Sequence, residues 1–306
     1  MPSAISFATY GDPDVLSLVS VESISAGPGK VRVAVRAAGV NPIDWKIRSG
    51  VLAEVMPRTL PSTPGIDLAG VIDQVGEGVA GFAVGDEVLG RGSRTYAEQA
   101  LADPAALARK PAALSWEQAA ALGVAVDTTY RILVPLGLAP GETLLVDGAS
   151  GGVGGILVQV ARARGLRVVG TASEQNHERL RSFGVIPIAH GSGLAERVAA
   201  VAPDGVAGAA DLAGKGSLDE LVEIVGDVAK VVTIADGAGA ARLGVRFTGG
   251  GPGESIEGSL DDALRLIAEG KLSVPVGRIY PLAEAAAAHR ESEAGRSEGR
   301  IVLRVG

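Results

Sequence analysis

Apolar residues follow two rhythms along this chain, and the rhythms mark different regions. Up to about residue 110 they alternate or run in short stretches. Residues 30–36 alternate cleanly, with Val31, Val33 and Val35 on one face, which predicts a half-buried strand. Residues 15–19 read the same way. Further strands are expected at 66–75, 87–89 and 96–101, cut by turns at Gly27-Pro28-Gly29, Gly76 to Gly78 and Gly85-Asp86. Short strands divided by Gly and Pro predict a small, irregular barrel. A short helix is expected over 43–49.

The second rhythm begins near residue 115. Ser115 and Gln118 have the spacing of a capping box at a helix start, and a second helix is expected over 127–136. Then Leu144, Leu145 and Val146 form an apolar run that suits a buried parallel strand. Gly148, Gly151, Gly152, Gly154 and Gly155 follow, and Ile156, Leu157, Val160 and Ala161 recur at helical spacing. Strand, glycine turn and helix open a dinucleotide-binding unit. Glycine lets the backbone turn tightly and lets a pyrophosphate reach main-chain N–H groups, and a helix N-terminus adds positive charge there. Gly151, Gly152, Val153 and Gly154 are the residues expected beneath the phosphates. The other reading is an ordinary loop, in a chain that holds 44 glycines. Apolar strands at 167–171, 185–189, 207–212 and 230–235 alternate with helices at 176–183, 193–201 and 217–225, the signature of a doubly wound sheet. A loop at 249–253 leaves it. An amphipathic helix over 260–269 turns Leu264, Leu266 and Ile267 inward, and strands at 274–280 and 300–305 flank a helix at 282–293.

The tip of the second parallel strand bears on cofactor choice. A unit built for NAD places a carboxylate there to accept bonds from the ribose hydroxyls. Here the tip reads Thr171, Ala172, Ser173, with Asn176, His177 and Arg179 close behind. Each of these last three can donate to a 2′-phosphate, so NADPH is expected over NADH. Glu174 is the opposing signal, one step into the loop.

Composition changes the picture mainly by exclusion. A net charge of -7, with no basic run, argues against a nucleic-acid partner. The N-terminus lacks the pattern of a signal peptide, and no uncharged apolar stretch approaches the ~20 residues of a membrane span. A cytoplasmic protein is expected. Cysteine is absent, which removes disulfides, thiolate metal ligands and cysteine nucleophiles. No Ser-His-Asp set or paired carboxylates emerge, so hydrolysis is not expected.

Several stretches, in register over the whole chain, resemble a known family. They are Val40-Asn-Pro-Ile-Asp44, Pro64-Gly-Ile-Asp-Leu-Ala-Gly70, Val75-Gly76 with Gly78-Val79, Gly85-Asp-Glu-Val88, the glycine turn, Thr171-Ala-Ser173, Pro281-Leu-Ala283 and Gly299-Arg-Ile-Val-Leu303. They are similar to the zinc-free quinone oxidoreductase (zeta-crystallin-like) branch of the medium-chain dehydrogenase/reductase superfamily. The resemblance implies a GroES-like β-rich catalytic domain over 1–122, a Rossmann domain over 123–260 and a return to the first domain over 261–306. Zinc-dependent members carry Cys where Asn41 stands and His-Glu where Ile66-Asp67 stands; zinc wants Cys or His at tetrahedral spacing. With no Cys and His only at 177, 190 and 289, no metal is expected.

The resemblance further implies NADPH as cofactor and a quinone or an α,β-unsaturated carbonyl as the small-molecule acceptor. An enoyl reductase of a polyketide or similar pathway, and a nucleotide-binding or structural protein without turnover, share the fold. Asn41 is a candidate polar contact at the nicotinamide, or else simply an Asn that ends a strand before Pro42. Thr128 matches the family's threonine at the nicotinamide end of the linking helix, or else is a plain helix residue. Asp44 reads as a helix cap. The family's cleft tyrosine is Val51 here, and its tyrosine near the adenosine phosphate is Gly191, with His177, Arg179 or His190 as replacements. A homodimer through the Rossmann edge, near 230–235 or Val245-Arg-Phe247, is also implied.

Overall fold

The chain opens with a two-stranded antiparallel ribbon, β1 (Ser3–Ser6) and β2 (Ser17–Ser20). The structure, a computed structural model, describes residues 1–251, 253–295 and 299–306. Two compact units divide the chain: Met1–Val124 with Val274–Gly306, and Ala125–Ser273. In the first unit β3 (Val31–Val40) carries the alternation read from the sequence, and Val31, Val33 and Val35 enter the core. It then runs on through buried Ala37, Ala38 and Val40. Pro42 opens α1 (Pro42–Ser49), where its missing N–H costs nothing, and Gly50 ends it at a φ of 87°. β4 (Asp67–Val75), β5 (Glu87–Arg91), β6 (Gln99–Ala102) and β7 (Leu107–Arg109) follow. The capping box forms at α2 (Trp116–Ala120), with reciprocal 3.1 Å bonds between Ser115 and Gln118.

After α3 (Gly123–Leu136) the second unit alternates strand and helix: β8 (Thr143–Asp147), α4 (Gly154–Ala163), β9 (Arg167–Ala172), α5 (His177–Ser182) and β10 (Ile186–Ala189). Then come α6 (Leu194–Val201), β11 (Gly208–Asp211), α7 (Leu218–Val225), β12 (Val231–Thr233), α8 (Gly237–Leu243), β13 (Arg246–Phe247) and α9 (Ser259–Ala268). Its six strands are parallel in the order β10-β9-β8-β11-β12-β13. The connections reverse direction between β8 and β11, so the crevice at the carboxyl ends of these two strands is where such sheets bind ligands. The chain returns to the first unit with β14 (Val276–Pro281), α10 (Ala285–Ala294) and β15 (Arg300–Arg304).

The first unit's main sheet runs β14-β15-β3-β4-β5-β7, with β6 on β3. β3 thus pairs with β15, β4 and β6, which gives the small, irregular, β-rich architecture expected. Val15 sits in a short 3-10 turn begun by Pro13, so β2 starts later than predicted. Tyr96 precedes β6 because its carbonyl is taken by Ile5 N–H, at 2.8 Å. α9 belongs to the second unit, where its contacts include α4 and where Gln159 of α4 bonds Ser273 at 2.9 and 3.1 Å. The return therefore starts at Val274, not at 261. In α9 Ala263 and Leu266 are buried, while Leu264 and Ile267 are half-buried. The glycine-rich stretch read at 249–253 includes Pro252, which lies outside the described residues.

Candidate functional site

The glycine turn leaves the carboxyl end of β8 at the crevice. Gly148 takes a φ of 84°, and its N–H donates to Thr171 Oγ1 on β9 at 3.0 Å. Gly154 begins α4, and a Cβ there would overlap the Gly148 carbonyl oxygen, so glycine is required by the turn itself. Gly151 differs: a Cβ there meets only the Gly148 oxygen, at 3.4 Å. The turn therefore leaves open space above Gly151, beside the outward N–H groups of the first turn of α4. An open, positively polarised cradle of backbone at the switch point fits a dinucleotide pyrophosphate.

The residues at the end of β9 gather beside this turn. Asn176 Nδ2 donates to Ser173 Oγ at 3.0 Å, and His177 Nε2 lies 3.2 Å from the Ala172 carbonyl. Arg179 donates to the Ser150 carbonyl at 2.7 Å and so ties α5 to the glycine turn. Glu174 is exposed in a short 3-10 turn. His190 is exposed, and beside it Arg197 clasps the loop where the family tyrosine is missing, donating to the carbonyls of Ala189, Gly191 and Ser192 at 2.7 to 3.0 Å.

Two buried carboxylates that sequence reasoning missed brace the strand ends. Asp147 accepts from Thr171 and, at 2.6 Å, from Ser217 at the start of α7, so one side chain links β8, β9 and the loop after β11. Asp211 accepts from Thr233 at 2.7 Å and from the N–H groups of Ala213 and Gly214 at 3.0 and 2.9 Å. The available signal was a lone Asp ending each apolar strand. Thr128 on α3 is buried, and its hydroxyl accepts from Arg131 at 2.9 Å.

Asn41 belongs to the first unit, where it caps α1 and is buried. Its Nδ2 donates to Asp67 at 3.0 Å and its oxygen accepts from Arg300 at 2.6 Å. Asp67 also takes Arg300 at 3.0 Å and the Val124 N–H at 2.7 Å. Burial raises the Asp67 carboxyl, opposed by the Arg300 guanidinium. Asp44 caps the Asn41 N–H at 2.9 Å, as its sequence position predicts, and receives Tyr96 O–H at 3.1 Å. Burial pushes this carboxyl up to about 7. His289 stands 3.4 Å from Tyr96 Oη, and burial lowers it to about 3. The pairings of Arg300 and His289 could not be read from spacing, since each reaches a residue roughly two hundred or more positions away. The side chain of Asn41 is thus engaged within its own unit. Val51 is exposed.

Residues 27–114 match the alcohol dehydrogenase GroES-like domain family, and residues 188–303 the zinc-binding dehydrogenase family. A quinone oxidoreductase of Pseudomonas aeruginosa is 31% identical, with 99% of each chain covered. One from Lama guanicoe is 42% identical over 58% of this chain and 54% of its own. The match thus spans about half the length of that mammalian relative. Among solved structures, a quinone oxidoreductase from Coxiella burnetii superposes with a TM-score of 0.88 at 29% identity, covering 100% of this chain and 99% of that one. A mycobacterial protein complexed with NADPH reaches 0.88 at 27% identity, covering 99% and 100%. An NAD-dependent alcohol dehydrogenase reaches 0.86 at 29%, also covering 99% and 100%.

A GroES-like unit and a doubly wound unit with a dinucleotide cradle define a medium-chain dehydrogenase/reductase. Within that superfamily, the chain belongs to the quinone oxidoreductase, zeta-crystallin-like branch. Among the described residues no three His, Asp or Glu side chains gather as a metal site.

Proposed function

We propose that the protein is an NADPH-dependent oxidoreductase that passes hydride to a quinone or an α,β-unsaturated carbonyl without a metal. The observation that carries this reading is the glycine cradle at the switch point beside a β9 tip whose first polar side chain is a hydroxyl. Gly151, Gly152, Val153 and Gly154 would hold the pyrophosphate through backbone N–H groups. Ser173, Asn176 and His177 would donate to the 2′-phosphate, where a carboxylate would repel it. A bound dihydronicotinamide supplies the hydride. An acceptor of this kind needs no Lewis acid, because the arriving charge delocalises onto its own oxygen. The chain's part is then to align the two partners and to donate hydrogen bonds near the reacting atoms. Thr128 is proposed for that role. Asn41 is proposed to act through the position it fixes for Asp67 and Arg300. β13 is the edge of the parallel sheet and exposes Phe247, which favours a homodimer paired there.

The test is a panel of quinones and enones with NADPH and with NADH, followed at the nicotinamide absorbance. Consumption that depends on the acceptor and prefers NADPH is expected. Turnover of NADH with equal efficiency would refute the pocket at Ser173 and Asn176.

A further inference from the structure

One buried cation in the second unit is placed by more partners than a structural pin needs. The Arg131 guanidinium lies on α3, three residues after Thr128 and four after Asp127. Nε donates to Asp127 at 2.9 Å. Nη2 donates to Thr128 Oγ1 at 2.9 Å. Nη1 donates to Thr248 Oγ1 and lies 3.3 Å from Glu254. Glu254 in turn accepts from Thr248 and from the Gly250 N–H, both at 2.8 Å. Arg131 is thereby fixed from both sides: by its own helix, and by the segment that follows β13.

The consequence falls on Thr128. A hydroxyl has one hydrogen to give and lone pairs to receive with. Thr128 spends a lone pair on a charged donor whose position is locked, and a lone pair so bound strengthens the hydroxyl as a donor. Among the described residues no protein acceptor takes the Thr128 hydrogen. A buried hydroxyl that is held as an acceptor toward a cation and keeps an unspent hydrogen is built to donate to a ligand.

We propose that Arg131 is a positioning residue for the nicotinamide. It fixes Thr128 as a committed, polarised donor, and it acts through Thr128 rather than by touching the cofactor. This rests on the proposed dinucleotide reading. The aliphatic variant Arg131→Met removes the clamp. Arg131→Lys keeps the charge beside Asp127 and Glu254 but cannot also reach Thr128, so it carries the test if the Met variant does not fold.

The experiment measures dissociation constants by calorimetry for NADPH and for 2′-phospho-ADP-ribose, which lacks the nicotinamide. It uses Thr128→Val, Arg131→Lys, Arg131→Met and the Thr128→Val/Arg131→Lys double variant. Each single variant should weaken NADPH by about tenfold, the scale of one hydrogen bond to a polarised group. Binding of 2′-phospho-ADP-ribose should be unchanged in all. The double variant should be no weaker than Thr128→Val alone, because the two residues act as one unit. Three results overturn the proposal: equal weakening of both ligands, which marks a structural role; additive losses in the double variant; or Arg131→Lys binding NADPH as the parent does. If the parent binds 2′-phospho-ADP-ribose while the variants give any of these results, the dinucleotide reading still stands. A parent that binds neither ligand takes both down.

Discussion

Two buried carboxylate clusters, one from each unit, are satisfied in opposite ways. In the second, Asp147 and Asp211 are surrounded by hydroxyls and backbone N–H groups that donate to them, at the ends of strands that meet the glycine turn. In the first, Asp67, Arg300, Asn41, Asp44, Tyr96 and His289 share one buried cluster, where among the described residues Asp44 Oδ1, His289 Nδ1 and Arg300 Nε find no partner. Neutral donors brace a rigid ligand cradle at little electrostatic cost, whereas an incompletely satisfied charged cluster shifts its own titrations.

Breaking the ion pair should give the largest effect. Arg300→Met leaves Asp67 buried without its cation, and losing one partner of such a pair costs about 3–5 kcal/mol. Replacing both, as Asp67→Leu with Arg300→Met, should recover much of that loss. Thermal unfolding of the two variants checks this. A single variant as stable as the parent would mean that the pair does not hold the first unit together.

Titration tests the first unit's cluster next. Asp44, raised to about 7, contributes stability that is complete below the ordinary carboxylate range and is lost as pH rises through about 7. His289, lowered to about 3, contributes stability that is complete above the ordinary imidazole range and is lost as pH falls through about 3. The windows overlap with opposite slopes, so between about pH 4 and about pH 6 their effects offset one another. Asp44→Asn should leave stability rising with pH across that window, and His289→Gln should leave it falling, each by on the order of 1 kcal/mol per pH unit. Melting temperatures against pH that run parallel for the two variants would contradict the cluster as described.

In the nucleotide unit the effects should appear in binding rather than in folding. Gly152→Asp sets a carboxylate against the phosphates and should weaken NADPH by at least about a hundredfold, roughly 3 kcal/mol. Calorimetry that finds parent affinity removes the cradle from the account. Ser173→Asp should be milder and selective: about tenfold against NADPH, near 1.4 kcal/mol, with NADH little changed.

The contrast also explains what could be read from residues alone. The parallel unit was legible because each strand is a short apolar run followed by a helix, and the glycine turn lies within eleven residues of one stretch. Residues 30–36 betrayed β3 because one face is solvated, so its pattern alternates. β1 gave little signal: at four residues it is too short for periodicity to register. Asp44 was readable as a cap because its partner is three residues away. The cluster around Asn41 was not, because Asp67, Tyr96, His289 and Arg300 meet only through the pairing of β3 with β4 and β15 and the packing of α10. Arg131 stayed hidden for the same reason, since Thr248 and Glu254 lie more than a hundred residues beyond it.

The central claim is hydride transfer from a bound nicotinamide to a conjugated acceptor, and one measurement reaches it directly. In a single turnover, the protein is mixed with NADPH deuterated at the transferring position and then with an enone. Loss of nicotinamide absorbance that is slower than with unlabelled NADPH, with the deuterium recovered on the carbon β to the carbonyl, is the predicted result. NADPH that binds but is consumed by no enone or quinone would contradict the account and leave a nucleotide-binding protein without turnover.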